Sequence, residues 1–333
     1  MSARMTEHNI TSLSGGKDSL ATALLMKERE VENGMLVFAD TGNEHDLTYE
    51  YLDYLEQVLP FPLRRVRADF TEAIAARRQM MLNVIAGTHK ERANAAYHWT
   101  PETAERALSV LRPTGIPFLD MCLVHGRFPS TKVKFCTIEL KIQPMEQQVQ
   151  NPLLADGHDI VSWQGVRADE SPARANLVEQ EWMLTHPESG AELWHYRPIH
   201  KWTAEQVFAI AKRHGVKPNP LYLMGMGRVG CMPCINAGKD EILEISRRFP
   251  QVIDQKEAWE ANVSMASKTC AATFFPARDL GAGNASAIDP AKHGIRGRVE
   301  WSMTSRGGRQ YDITRVVPAE PATSCSSVYG LCE

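Results

Sequence analysis

The sequence predicts a doubly wound α/β fold with a mostly parallel sheet, on three observations. Short apolar, β-branched runs alternate with longer stretches of helical spacing, a glycine turn joins the first strand to the first helix, and another buried strand recurs in mid-chain. The first strand is HNITSL, beginning at His8, and the helix DSLATALLMKERE follows with Leu20, Ala23, Leu24 and Met26 at helical spacings. Between them lies SGGKDS, beginning at Ser14. MLVFAD, ending at Asp40, is the second strand, and TGNEHDLTYEYLDYLEQVL after it has the apolar spacing of a helix. PLRRVRA is the third strand, with Arg64 and Arg65 at exposed positions as solvated charges. A helical piece, TEAIAARRQMMLNVIA, then gives way to a polar stretch punctuated by Pro113, Pro117 and Pro129, read as a lid or insertion. DIVSWQGVRADESPAR opens with a buried strand ending at Gln164. Thr203 and Gln206 make a capping box for the helix AEQVFAIAKRHG, which Gly215 closes.

Composition bounds the function. The chain has 333 residues, 43% of them hydrophobic, enough for one large domain or two modest ones. A net charge of −3 gives no global attraction to nucleic acid or anionic membrane. The apolar runs fall well short of the roughly 20 residues that cross a bilayer, and MSARMTEHNI lacks the apolar segment of a signal peptide, so the expectation is a cytoplasmic protein with no membrane partner. Seven cysteines, an odd number, argue for metal, cluster or thiol chemistry ahead of a disulfide framework. The eleven histidines show no metal-ligand spacing, and His98, His125 and His195 read as surface or hydrogen-bonding residues.

SGGKDS is the first candidate site. A strand, a glycine turn and a helix N-terminus form an anion site: Gly15 and Gly16 let backbone N–H groups approach a phosphate, and the helix dipole adds positive potential. Lys17 supplies charge, and Ser14 and Ser19 supply hydroxyls. The spacing is not that of a Walker A loop. It resembles the PP-loop, S-G-G-x-D-S, of the adenine nucleotide α-hydrolase superfamily, which includes ATP pyrophosphatases, tRNA thiolation enzymes and the phosphoadenosine phosphosulfate (PAPS) reductase group.

Three further segments narrow the resemblance to the PAPS reductase group. Asp40, Thr41 and Gly42 look like its D-T-G segment, although His45 and Asp46 replace the usual aromatic and proline; ligands collect at the carboxyl ends of parallel strands, so these residues are expected beside the PP-loop in contact with the nucleotide. Gly165, Arg167, Glu170, Ser171 and Arg174 resemble the element G-x-R-x-x-E-S-x-x-R. NPLY, Gly225, Arg228 and GCMPC match the run N-P-L-Y-x-x-G-x-x-R-x-G-C-x-x-C. Arginine suits planar, bidentate recognition of phosphate or sulfate, and Arg167 and Arg174 are expected at a polyanion or adenosine site; a structural Arg–Glu pair is the plainer reading. The resemblance implies nucleotide binding by Ser14, Gly15, Gly16, Lys17, Asp18, Ser19, Asp40, Thr41, Gly42, Gly165, Arg167 and Arg174, with Lys17, Asp18 and Arg167 catalytic. The resemblance also implies ATP or PAPS as the ligand, accompanied by Mg²⁺.

Cys231 and Cys234 have a spacing that lets two thiolates reach one metal or cluster, though C-x-x-C alone is ambiguous among zinc, iron–sulfur and a redox dithiol. With Cys325 and Cys332 of the tail they would make a complete four-cysteine set. The resemblance favours [4Fe–4S], with zinc as the alternative, at a site tying the tail back to the domain. Cys136, within KFCTIELKIQPMEQQV, resembles the group's C-T-x-x-x-K-x-x-P segment and reads as a cluster ligand, a reactive thiol or a small buried hydrophobe; Lys141 either faces the phosphate chain or is solvated. Cys122 and Cys270 read as structural, with either able to replace a tail cysteine.

The reaction stays open between two forms of the enzyme. The E-C-G-x-H element that carries the thiol nucleophile of cluster-free PAPS reductases is missing, and Cys332 stands in a different context, GLCE. The alternative is ATP pyrophosphatase chemistry, in which the loop holds the β,γ-pyrophosphate and the α-phosphorus is attacked, activating a substrate for sulfur insertion as in DNA phosphorothioation sulfurtransferases. A non-catalytic, nucleotide-dependent nucleic-acid regulator is a third reading. It rests on KHGIRGRVEWSMTSRGGRQYDITR, whose Lys292, Arg296, Arg298, Arg306, Arg309 and Arg315, with Trp301 and Tyr311 interleaved, suit phosphates and a stacked base; the plainer reading is a basic surface hairpin. Nucleic acid, a protein electron donor and a second copy of the chain are carried as further partners. The domain is expected over residues 5–240, followed by a C-terminal extension over 241–333, with DLGAGNASAIDPAKHG as a flexible loop between body and basic tail.

Overall fold

The computed structural model describes residues 6–91 and 96–305. β1 (Glu7–Ser12), α1 (Lys17–Glu28), β2 (Gly34–Asp40), α2 (Asp46–Val58) and β3 (Leu63–Arg67) form the first wind of the chain. β4 (Asp159–Trp163) then returns to the other side of β1, and a hairpin of β5 (Gln180–Thr185) and β6 (Glu192–Tyr196) extends that edge. The resulting six-stranded order among the described residues is β3-β2-β1-β4-β6-β5, parallel except for β5. The order reverses between β1 and β4, so the carboxyl ends of these two strands flank the crevice where such sheets bind ligands.

Strand alternation sorts the core into two layers. On β2, Leu36 and Phe38 face one layer with Leu20, Leu24 and Leu52, while Val37 and Ala39 face the other with Ile10, Val66, Val149 and Leu154. Each fully buried aliphatic side chain contributes about 1.5–3 kcal/mol by leaving water. α1 is buried around nearly its whole circumference, because the helix Ala204–Arg213 covers the side facing away from the sheet. The capping box expected for that covering helix is present: Thr203 accepts from the amide of Gln206, whose side chain accepts from the amide of Thr203.

The helical piece expected after β3 is α3 (Thr71–Ile85), and the stretch read as a lid or insertion contains α4 (Pro101–Val110) and α5 (Pro117–His125). A continuous helix over residues 135–155 follows, with π-helical turns at Ile138–Ile142 and Glu146–Gln150. α5 shares one apolar core with the helices Lys239–Arg248 and Pro250–Met265, where the ring of Phe118 stacks 5.8 Å from both Trp259 and Phe274. The described residues beyond 240 therefore pack into the body of the protein rather than beside it.

Two expectations for the C-terminal region are corrected. DLGAGNASAIDPAKHG forms successive helical turns, at Ala277–Leu280, Ala285–Ala287 and Pro290–His293. Asn284 and Asp289 cap the last two, the local bonding that lets a Gly-rich and Ala-rich stretch hold shape. The described part of the basic segment is helical, not a hairpin. Ile295–Ser302 forms a helix whose Arg296 pairs with Asp254 and Glu257, while Arg298 lies over the rings of Phe275 and Trp301. Arg306, Arg309, Tyr311 and Arg315 lie outside the described residues. No helix of the described residues is long and apolar enough to cross a membrane.

Candidate functional site

The turn between β1 and α1 closes on itself. Gly15 has φ +73°, a left-handed conformation that glycine adopts without a Cβ penalty, and a Cβ there would also crowd Thr48 at 3.1 Å. Ser19 Oγ accepts from the Ser14 amide at 3.2 Å and donates to the Gly16 carbonyl at 2.9 Å, tying the turn to the first helical turn. The N-terminus of α1 thus follows the turn directly, with its dipole toward it.

The end of β4 meets this turn directly. A Cβ on Gly165 would stand 2.8 Å from the carbonyl carbon of Asp18 and 3.0 Å from the amide nitrogen of Ser19, so only glycine permits the approach. Two residues on, Arg167 is 4% exposed and pairs with Asp18 and Asp169. Asp18 also accepts from Lys17 Nζ at 3.0 Å, so one carboxylate bridges the two cations expected to meet a phosphate chain. Arg174 pairs with Glu170, the plainer reading of that loop, yet both side chains also line the cleft.

That cleft has a volume of about 900 Å³. Lys17, Lys134, Lys141, Arg167, Arg174 and Arg228 line it, against the carboxylates of Asp18 and Glu170. Ser14, Gly16, Ser19 and Gly165 line it as well, while Gly15 lies just beneath. Such an excess of cations beside a helix N-terminus gives the cleft a positive potential.

The D-T-G segment starts at the end of β2, the strand paired with β1, and Asp40, Thr41 and Gly42 are not among the residues lining the cleft. Asp40 instead accepts from the Gly42 amide at 2.9 Å and Tyr49 Oη at 2.7 Å, and pairs with Arg67 at 3.5 Å. Thr41 bonds Glu44 through both its amide and its hydroxyl, and its Oγ1 lies 3.4 Å from Cys231 Sγ.

Cys231 therefore belongs to a second polar group. Its backbone bridges Glu44, and its thiol donates to Glu44 Oε1 at 3.5 Å. Burial pushes this thiol up to about 12, against the pull of the Lys141 ammonium. Lys141, held above its ordinary value chiefly by Cys231, also interacts with Glu44, Cys234 and Cys136, so a cleft-lining cation is shared with three sulfurs. Lys256 is 1% exposed and interacts with Cys231, Glu44 and Cys122, while burial pushes it down to about 7. Cys122 is buried, as a structural cysteine should be, but Cys270 is exposed and accepts from Arg106. Among the described residues no three Cys, His, Asp or Glu side chains converge on a metal position. Cys325 and Cys332 lie outside the described residues. Sequence reasoning missed Glu44 and Lys256; an acidic residue three positions after Thr41 was the only signal for the first, and a lysine within PQVIDQKEAWEANVSM carried none for the second.

Residues 8–111 and 122–237 match the family model of the phosphoadenosine phosphosulfate reductase domain. An uncharacterized 37.8 kDa protein from the gpa 5′ region of Escherichia phage 186 is 45% identical over 329 residues, spanning 98% of this chain and 96% of its own. The adenosine 5′-phosphosulfate reductase of Allochromatium vinosum is 34% identical over 73 residues, 22% of this chain and 27% of that protein. The crystal structure of a phosphoadenylyl-sulfate reductase from Candida auris in a phosphate complex superposes with a TM-score of 0.39 at 16% identity, covering 68% of this chain and 82% of that one. With the family model matched over most of its length, the chain belongs to the phosphoadenosine phosphosulfate reductase domain family.

Proposed function

We propose that the protein is an enzyme that binds an adenine nucleotide with its phosphate chain against Ser14–Ser19 and acts in sulfur transfer or sulfate reduction. The observation that carries this reading is the convergence of three sequence-distant segments, SGGKDS, GVRADES and the run from Asn219 to Cys234, on one cationic cleft. Lys17, the α1 N-terminus and Arg167 would stabilise negative charge on the transferring or leaving group, with Mg²⁺ accompanying the nucleotide. Asp18, which bridges Lys17 and Arg167, would hold both cations in register until the ligand replaces part of its partnership. Arg174 and Arg228 would take the more distal anionic group.

Cys231 and Cys234, with Cys325 and Cys332, are the proposed holders of a four-cysteine iron–sulfur centre, zinc being the alternative. The Lys141 ammonium interacts with both Cys231 and Cys234 and offsets part of the burial that disfavours the Cys231 thiolate, which suits an anionic thiolate centre. When bound, such a centre would supply redox or sulfur-delivery chemistry near Lys141. Adenylating chemistry is the second reading, favoured by the absence of E-C-G-x-H from the chain: water or a substrate oxygen attacks the α-phosphorus of ATP and pyrophosphate leaves.

Anaerobic product analysis separates the readings. The purified protein is offered PAPS with a thiol reductant, or ATP with Mg²⁺. Adenosine 3′,5′-bisphosphate and sulfite from PAPS mean reduction; AMP and pyrophosphate from ATP mean α-phosphate chemistry. Turnover of neither, with nucleic acid still bound, would support the regulator in place of the enzyme.

A further inference from the structure

The SGGKDS turn is gripped from beneath by a segment 200 residues away in sequence. Asn219 and Tyr222 are 1% and 2% exposed, on and just after the cap of the short helix Pro220–Leu223. Asn219 Nδ2 donates to the Gly15 carbonyl at 3.2 Å, while its Oδ1 accepts from the Leu221 amide at 3.0 Å and so caps its own helix. Tyr222 Oη accepts from the Lys17 amide at 2.9 Å. The ring that carries this hydroxyl is fixed edge-on to Phe208, with centroids 5.6 Å apart.

The chemistry of these contacts is local to the anion site. Lys17 is the first residue of α1, and the first amides of a helix have no partner within it. Tyr222 supplies a partner to one of them from a rigid, buried ring, and Asn219 restrains the carbonyl of the left-handed glycine one peptide earlier. Together they hold both ends of the Gly15–Gly16–Lys17 backbone. The same segment runs on through Gly227, Arg228 and Val229, which line the cleft above.

We propose that Tyr222, with Asn219, is a positioning residue that sets the SGGKDS backbone in its anion-binding form; this rests on the nucleotide reading of the cleft. Tyr222→Phe removes the hydroxyl and keeps the ring against Phe208. Asn219→Ser keeps a capping oxygen for the helix and is too short to reach Gly15. Tyr222 also lines the cleft, so the Lys17 amide, read without ligand, is what separates positioning from direct contact.

Two readouts test the role. Hydrogen exchange of the Lys17 amide, measured on the nucleotide-free full chain, should accelerate about fivefold in Tyr222→Phe, the size expected for one hydrogen bond. The dissociation constant for inorganic pyrophosphate, measured by calorimetry, should rise about fivefold or more in both variants, with melting temperatures within a few degrees of wild type. A purely packing role for the ring predicts no change in either quantity for Tyr222→Phe, and that result overturns the proposal. Wild-type protein that binds neither pyrophosphate nor ATP would refute the nucleotide reading and the positioning role with it, while faster Lys17 exchange in the variant would still establish the hydrogen bond itself.

Discussion

Gly165→Ala probes the junction on which the cleft depends. The added methyl carbon would fall 2.8 Å from the carbonyl carbon, 2.9 Å from the carbonyl oxygen of Asp18 and 3.0 Å from the Ser19 amide nitrogen, all of them backbone atoms that cannot rotate away. Relief requires the β4 terminus and the first turn of α1 to separate by roughly half an ångström, toward ordinary van der Waals distance. Overpacking of this kind costs about 1–3 kcal/mol. The same displacement carries Arg167 away from Asp18 and Lys17. Since a shift of about 1 Å can cost a hundredfold in a positioned site, half of that predicts a nucleotide affinity reduced about tenfold. Calorimetric titration of pyrophosphate and ATP, beside thermal unfolding, measures both parts. Gly283→Ala is the control, because a Cβ there meets nothing within 4 Å. Wild-type affinity and stability in Gly165→Ala would refute the close approach of β4 to the turn.

Other substitutions test separate parts of the account. Gly16→Asp sets a carboxylate against the phosphates, and pyrophosphate binding should fall at least a hundredfold by calorimetry; equal binding would remove the turn from the site. Glu260 accepts from the Phe274 and Ile295 amides, and burial raises its pKa to about 7. A raised folded value means its contribution is complete below the unfolded value of about 4.5 and is lost as pH rises through about 7, a change of roughly 3 kcal/mol. In urea titrations, Glu260→Gln should flatten the fall in stability across that window, and a wild-type slope in the variant would contradict the assignment. Cys234→Ser should lower the metal or iron–sulfur content of purified protein, read by metal analysis; unchanged content would take that cysteine out of the centre.

Much of the sheet could be read from the chain because its strands carry their own local evidence. HNITSL, MLVFAD and DIVSW are short apolar runs next to turn or cap residues, and each forms a strand within a residue or two of the reading. The β5–β6 hairpin was not legible in the same way. Its apolar residues Trp182, Met183, Leu184 and Trp194 are exposed, so burial imposes no alternation on the edge pair. SGGKDS, Gly165, Arg167 and Arg174 stood out in the sequence because each lies in a short motif, although the contacts of Gly165 and Arg167 with Asp18 cross a long stretch of chain that no local pattern reveals. The contact of Thr41 with Cys231 was not legible, because the two lie 190 residues apart. Buried charges such as Lys256 leave no periodic trace, since a single lysine within an amphipathic helix reads as solvated.

A crystal structure of the protein with PAPS or ATP–Mg²⁺ bound tests the central claim most directly. The phosphate chain is expected at the N-terminus of α1, in contact with the Ser14–Ser19 turn and Arg167, with Arg174 or Arg228 on the distal group. Nucleotide bound elsewhere, or an empty cleft at saturating nucleotide, would contradict it.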